Sequence, residues 1–109
     1  MKKILCLILL LSACSRTDIS KLEDNFVKWE MSALHLNEEN ALIEACKMRV
    51  WIKMTGLNWR EFLNKKLNGY DVSYVAIKMN ELSWMQQSNI RELAKNCKDN
   101  KYYMYAVRD

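Results

Sequence analysis

Residues 38–56, EENALIEACKMRVWIKMTG, read as one amphipathic helix with both of its ends marked. Asn37 precedes it as an N-cap, and Glu38 and Glu39 fill the first turn, where carboxylates oppose the positive end of the helix dipole. Gly56 supplies a C′ residue that can turn left-handed and end the helix. Between these marks, Leu42, Ala45, Cys46, Val50 and Met54 recur at three- and four-residue steps, and Ile43 and Trp51 widen the stripe. The spacing predicts a helix over about 38–55 with Cys46 turned to the core.

The flanking segments repeat this pattern. Upstream, Ile19, Leu22, Phe26, Trp29 and Ala33 form one face of a helix over about 19–34, with Ser20 and Glu23 at capping-box spacing. Downstream, Asn58 and Glu61 have capping spacing for a helix over about 59–67, which Gly69 stops; Trp59, Phe62, Leu63 and Leu67 are its apolar side. A fourth helix is expected over about 72–86, behind Asp71 or Ser73, with Val72, Val75, Met79 and Leu82 inward. Ser88 is expected to cap a fifth over about 89–98, where Ile90, Leu93, Ala94 and Cys97 share a face. The aromatic and β-branched stretch 101–108 suits an extended segment laid across the bundle.

Composition agrees. The chain has 109 residues, enough for about one domain, and is 50% hydrophobic and 28% charged, which excludes a disordered composition. Zero prolines and two glycines leave little material for turn-rich β structure. The expectation is an all-α protein: one domain over 19–109, a small bundle of four to five short helices.

The first residues belong to something else. Met1-Lys2-Lys3 is a short cationic start, and Ile4 to Leu11 is an apolar run of eight residues. As a helix it spans about 12 Å, far short of a hydrocarbon core of about 30 Å, so it fits a signal-peptide core and not a membrane span. It leads into Leu11-Ser12-Ala13-Cys14, which resembles the lipobox of bacterial lipoproteins. Small residues at 12 and 13 suit the lipoprotein signal peptidase, and only a thiol can carry a thioether-linked diacylglycerol.

The resemblance implies that residues 1–13 are removed and that Cys14 bears fatty acyl chains. Residues 14–18 then form a lipidated N-terminus and short tether. Two or more chains anchor stably where one does not. Ser15 is not the Asp that resembles an inner-membrane retention signal, which implies the outer membrane, facing the periplasm. An ordinary signal peptide cut after Ala13, leaving a free Cys14, is the competing reading. Loss of Lys2 and Lys3 takes the Lys and Arg total from 17 to 15 against 13 Asp and Glu, a net of +2. That is no nucleic-acid footprint.

The same resemblance governs the cysteines. With Cys6 removed and Cys14 acylated, an oxidising compartment implies one disulfide, Cys46–Cys97. Two free buried thiols are the competing reading. There is no CxxC and His35 is the one histidine, so a metal site would lack ligands.

Catalytic groups are scarce. Gly56 and Gly69 read as helix stops, not as a phosphate loop, and His35 falls between two helices. The acidic pairs Glu23–Asp24 and Glu38–Glu39 sit at helix starts, where they suit the dipole better than a glycosidase cleft. The expectation is a non-enzyme with no cofactor and no small-molecule substrate. Most of Trp29, Trp51, Trp59, Trp84 and Phe62 suit a core. Trp84, beside Met85, falls off the inward stripe, and Tyr102, Tyr103 and Tyr105 are hard to hide; these four are the candidate partner-binding residues. Lys65, Lys66, Lys95, Lys98 and Lys101 suit either a solvated face or anionic headgroups.

In architecture alone, a small helical lipoprotein with one disulfide is similar to pilotins, which escort secretins and hold a client helix in a groove. A periplasmic immunity protein has the same features. Both imply an envelope or secreted protein as partner. The alternative is a structural or surface-exclusion lipoprotein that blocks a membrane receptor.

Overall fold

The computed structural model describes residues 19–99. Cys14, the signal-like start and Tyr102, Tyr103 and Tyr105 lie outside the described residues. Within them the chain is helical, with no strand: α1 over residues 19–33, α2 Glu38–Met54, α3 Trp59–Leu67, α4 Ser73–Asn80, α5 Trp84–Ala94 and α6 Asn96–Asp99.

The ends of α2 and α3 follow from the residues placed there. The Asn37 side chain accepts the Asn40 N–H at 2.8 Å, and the Asn58 side chain accepts the Glu61 N–H at 2.8 Å. Each satisfies a donor that the helix itself leaves open. Gly56 at φ 80° and Gly69 at φ 76° take the left-handed conformation that closes both helices.

The fourth and fifth helices differ from expectation. The predicted helix over 72–86 is broken at 81–83, and α5 starts at Trp84, so Ser88 lies inside α5 and caps nothing. The cause is a stronger cap at Ser83, about one and a half turns ahead of Ser88. Ser83 accepts the Gln86 N–H at 3.1 Å, and its own N–H donates to Gln86 Oε1 at 2.9 Å. This reciprocal box is worth about 1 kcal/mol and outcompetes a continuous helix of modest length. Asp71 holds the start of α4 by accepting both the N–H and the hydroxyl of Ser73, at 2.9 and 3.0 Å.

The core gathers around α2, which packs on α3, α5 and α6. Leu42, Ala45, Cys46 and Val50 are buried as the stripe requires, joined by Ala41 and Ile52, while Met54 is half exposed. Trp59, Phe62 and Leu63 of α3 are buried, and Ile90, Ala94 and Cys97 close the far side. Cys46 and Cys97 form a disulfide with Cα atoms 5.8 Å apart, tying α2 to α6.

The inward face of α1 is rotated from the expected stripe. Phe26 is buried, but so are Glu23, Val27 and Glu30, whereas Ala33 is exposed and Ile19, Leu22 and Trp29 are only partly covered. Glu23 is therefore not a solvated helix-start carboxylate. Its Oε2 accepts the Trp59 indole N–H at 3.3 Å and lies 4.0 Å from Arg49 Nε, with both charged side chains almost fully buried. Glu23 beside Arg49, and Cys46 bonded to Cys97 with Arg91 over the Trp51 ring, run α1 and α5 antiparallel to α2. Ile19, Met54, Trp59 and Trp84 thus gather at one end of the bundle.

Candidate functional site

A cleft of about 360 Å³ opens between α1, α2, α3 and α4. Its base is aromatic. Trp59 stacks on Phe62 at 5.6 Å and 12°, and Phe26 stands edge-on to both, at 5.8 and 5.6 Å. Trp29 lies parallel to Phe26 at 5.9 Å, so the stack continues outward to the cleft wall. Edge-to-face and offset pairs of this kind are favourable beyond the area they bury.

Each lining segment contributes a helical stripe. Phe26, Trp29, Glu30 and Leu34 come from α1 and the turn after it, Glu44 and Met48 from α2, and Phe62 and Lys66 from α3. Val72, just before α4, and Val75, Ala76 and Met79 within it form the opposite wall. The surface is apolar and includes two flexible thioethers, which adapt to irregular shapes. Its size and character are those of a site that takes an apolar group and orients it by a few polar ones.

Three charged groups supply that polarity. Lys66 Nζ rests 4.3 Å from the centre of the Trp29 ring, a cation–π contact. Glu44 stands on α2 and also pairs with Lys47 at 3.4 Å. Glu30 is 4% exposed, and its Oε2 accepts no hydrogen bond. Burial pushes the Glu30 carboxyl up to about 7, Glu44 adds to the rise, and Lys66 opposes it.

The sign of that shift gives a stability prediction. A Glu with a raised folded value binds its proton more tightly in the native state than in the unfolded one. Its contribution is therefore present in acid and is lost as pH rises from about 4.5 to about 7. The span corresponds to on the order of 3 kcal/mol. Urea unfolding of Glu30→Gln at pH 5 and pH 8 should give curves closer together than those of the wild type. An equal separation would mean that Glu30 titrates normally.

The expected partner residues lie elsewhere. Trp84 is 74% exposed and Met85 61% exposed, at the tip of α5, and neither lines the cleft. Tyr102, Tyr103 and Tyr105 are outside the described residues. The lysines are partly engaged: Lys65 pairs with Glu61 at 2.9 Å and lies over Tyr74, and Lys95 pairs with Glu92 at 3.0 Å. His35 is exposed in the turn after α1, at φ 54°. Among the described residues no three His, Cys, Asp or Glu side chains gather as a metal site. No helix among them is long and apolar enough to cross a membrane.

Glu30, Leu34, Met48 and Ala76 line the cleft and are not among the candidate residues that the sequence singles out. The usable signal was Glu23 and Glu30, seven residues apart and on the same helical face as Phe26. Acids placed within an apolar stripe are a mark of buried charge. No protein-family model, curated protein or solved structure matches this chain.

Proposed function

We propose that this chain is a non-enzymatic lipoprotein of the bacterial envelope that binds a protein partner, its cleft receiving apolar side chains of that partner. The cleft between α1, α2, α3 and α4 carries this reading: an aromatic base, aliphatic walls and three charged groups. A groove of this kind takes the apolar face of a partner helix, side chain by side chain. The Leu11-Ser12-Ala13-Cys14 motif supports a lipid anchor, and a Cys46–Cys97 bond is at home in an oxidising compartment. The pilotin-like and immunity-type roles both use such a groove. Surface exclusion needs none.

The test joins two measurements on the protein in its native host. Intact-mass analysis should find residues 1–13 gone and acyl chains on Cys14. A photo-crosslinking amino acid at Ala76, exposed on the cleft wall, should give one light-dependent adduct with a second protein. The same group at Lys98, exposed on α6, should give none. A retained Met1 with no fatty adduct defeats the anchored reading. Equal labelling from both positions, or none from Ala76, defeats the cleft.

A further inference from the structure

The cleft has a polarity that its apolar walls do not explain, and this narrows the partner. We propose that the cleft recognises a partner segment in which an apolar anchor is followed closely by a lysine or arginine, and that Glu30 is the residue that holds the cation. The inference rests on the partner-binding role given above and makes its chemistry specific.

Three observations carry it. Glu30 is 4% exposed, lines the cleft, and keeps an oxygen with no hydrogen-bond donor. A buried carboxyl with spare acceptor capacity is costly, and a donor arriving with the ligand removes the cost. Secondly, the ammonium that lines the cleft beside Glu30 is engaged elsewhere. Glu44 comes from α2, where Lys47 pairs with it at 3.4 Å, and Lys66 comes from α3, while Val72, Val75, Ala76 and Met79 on the α4 side add no charge. The Lys66 ammonium rests over the Trp29 ring at 4.3 Å, and Glu30 Oε2 is left without a donor.

Thirdly, the apolar walls and the acid lie in one cavity, so a single segment meets both. An apolar stem fills the space between Met48 and Met79, and its charged head reaches Glu30. Ammonium and guanidinium groups both bond strongly to a desolvated carboxylate. A bound cation stabilises the ionised carboxyl, so binding releases a proton wherever Glu30 is protonated beforehand. With the group shifted to about 7, affinity is greatest above neutrality and declines in acid.

Hexylammonium, hexanol and hexanoate separate the possibilities, since they share an apolar stem and differ in the head. Binding is followed by NMR of the Met48 and Met79 methyl groups in the purified chain. At pH 8 hexylammonium should bind at least tenfold more tightly than hexanol, and hexanoate most weakly. The preference over hexanol should fall about tenfold per pH unit below about 7. Glu30→Gln, nearly the same shape, should reduce hexylammonium to the level of hexanol and leave hexanol unchanged. Equal binding of amine and alcohol, or a preference that survives Glu30→Gln, overturns the cation site while leaving the apolar receptor standing. If no compound moves either methyl group, both readings fall. A melting curve for the variant confirms that it is folded when these shifts are read.

Discussion

Replacing Cys46 and Cys97 together with alanine should lower the unfolding free energy by about 4 kcal/mol. The figure follows from a crosslink spanning a sequence separation of 51 residues, which removes much of the freedom of the unfolded chain. It is large for this protein, because small domains hold only about 5–15 kcal/mol in total. The bond also ties α6, only Asn96–Asp99, to the centre of α2. So short a helix has no stability alone. Urea denaturation of the double variant, and of the wild type with and without dithiothreitol, should place the variant on the reduced curve. A variant as stable as the oxidised protein would mean that the packing of Ile90 and Ala94 alone holds the α5–α6 arm.

The second large effect concerns Glu23 and Arg49. Breaking a buried ion pair from one side strands the other charge in the core, at about 3–5 kcal/mol. Glu23→Gln and Arg49→Met should each show that loss. For a domain of this size it lowers the melting temperature by on the order of 15–30 °C. Removing both charges, as Glu23→Leu with Arg49→Met, should recover most of the loss, since an apolar pair of similar volume often serves as well. Recovery should stop short by about 1 kcal/mol, because the Trp59 indole N–H then lacks the oxygen it meets at 3.3 Å. Thermal unfolding of the two single variants and the double variant measures this. Single variants within about 1 kcal/mol of the wild type would mean that water reaches the pair.

Why some features were legible in the sequence and others were not follows from the range of the forces involved. The ends of α2 and α3 are set within four residues, by Asn37 or Asn58 and by Gly56 or Gly69, and such local signals survive in a bare sequence. Ser83 with Gln86 was just as local, yet the apolar spacing of Val75, Met79 and Leu82 runs smoothly past it and suggests one helix. The face of α1 departs from its apolar stripe because Glu23 reads locally as a helix-start carboxylate and Glu30, taken by itself, carries no local mark of burial. Their burial depends on Arg49, Trp59 and Lys66, which come from other helices. The cleft was invisible for the same reason: Leu34, Met48 and Ala76 become neighbours only after four helices pack.

The antiparallel run of α1 and α5 against α2 has a mechanical corollary. Under the proposed lipid anchor, the load would enter through the pole of the bundle that bears Ile19, Met54 and the exposed Trp84. Leu34, on the cleft wall, and His35 would then stand at the far pole, with the cleft reaching toward the free end.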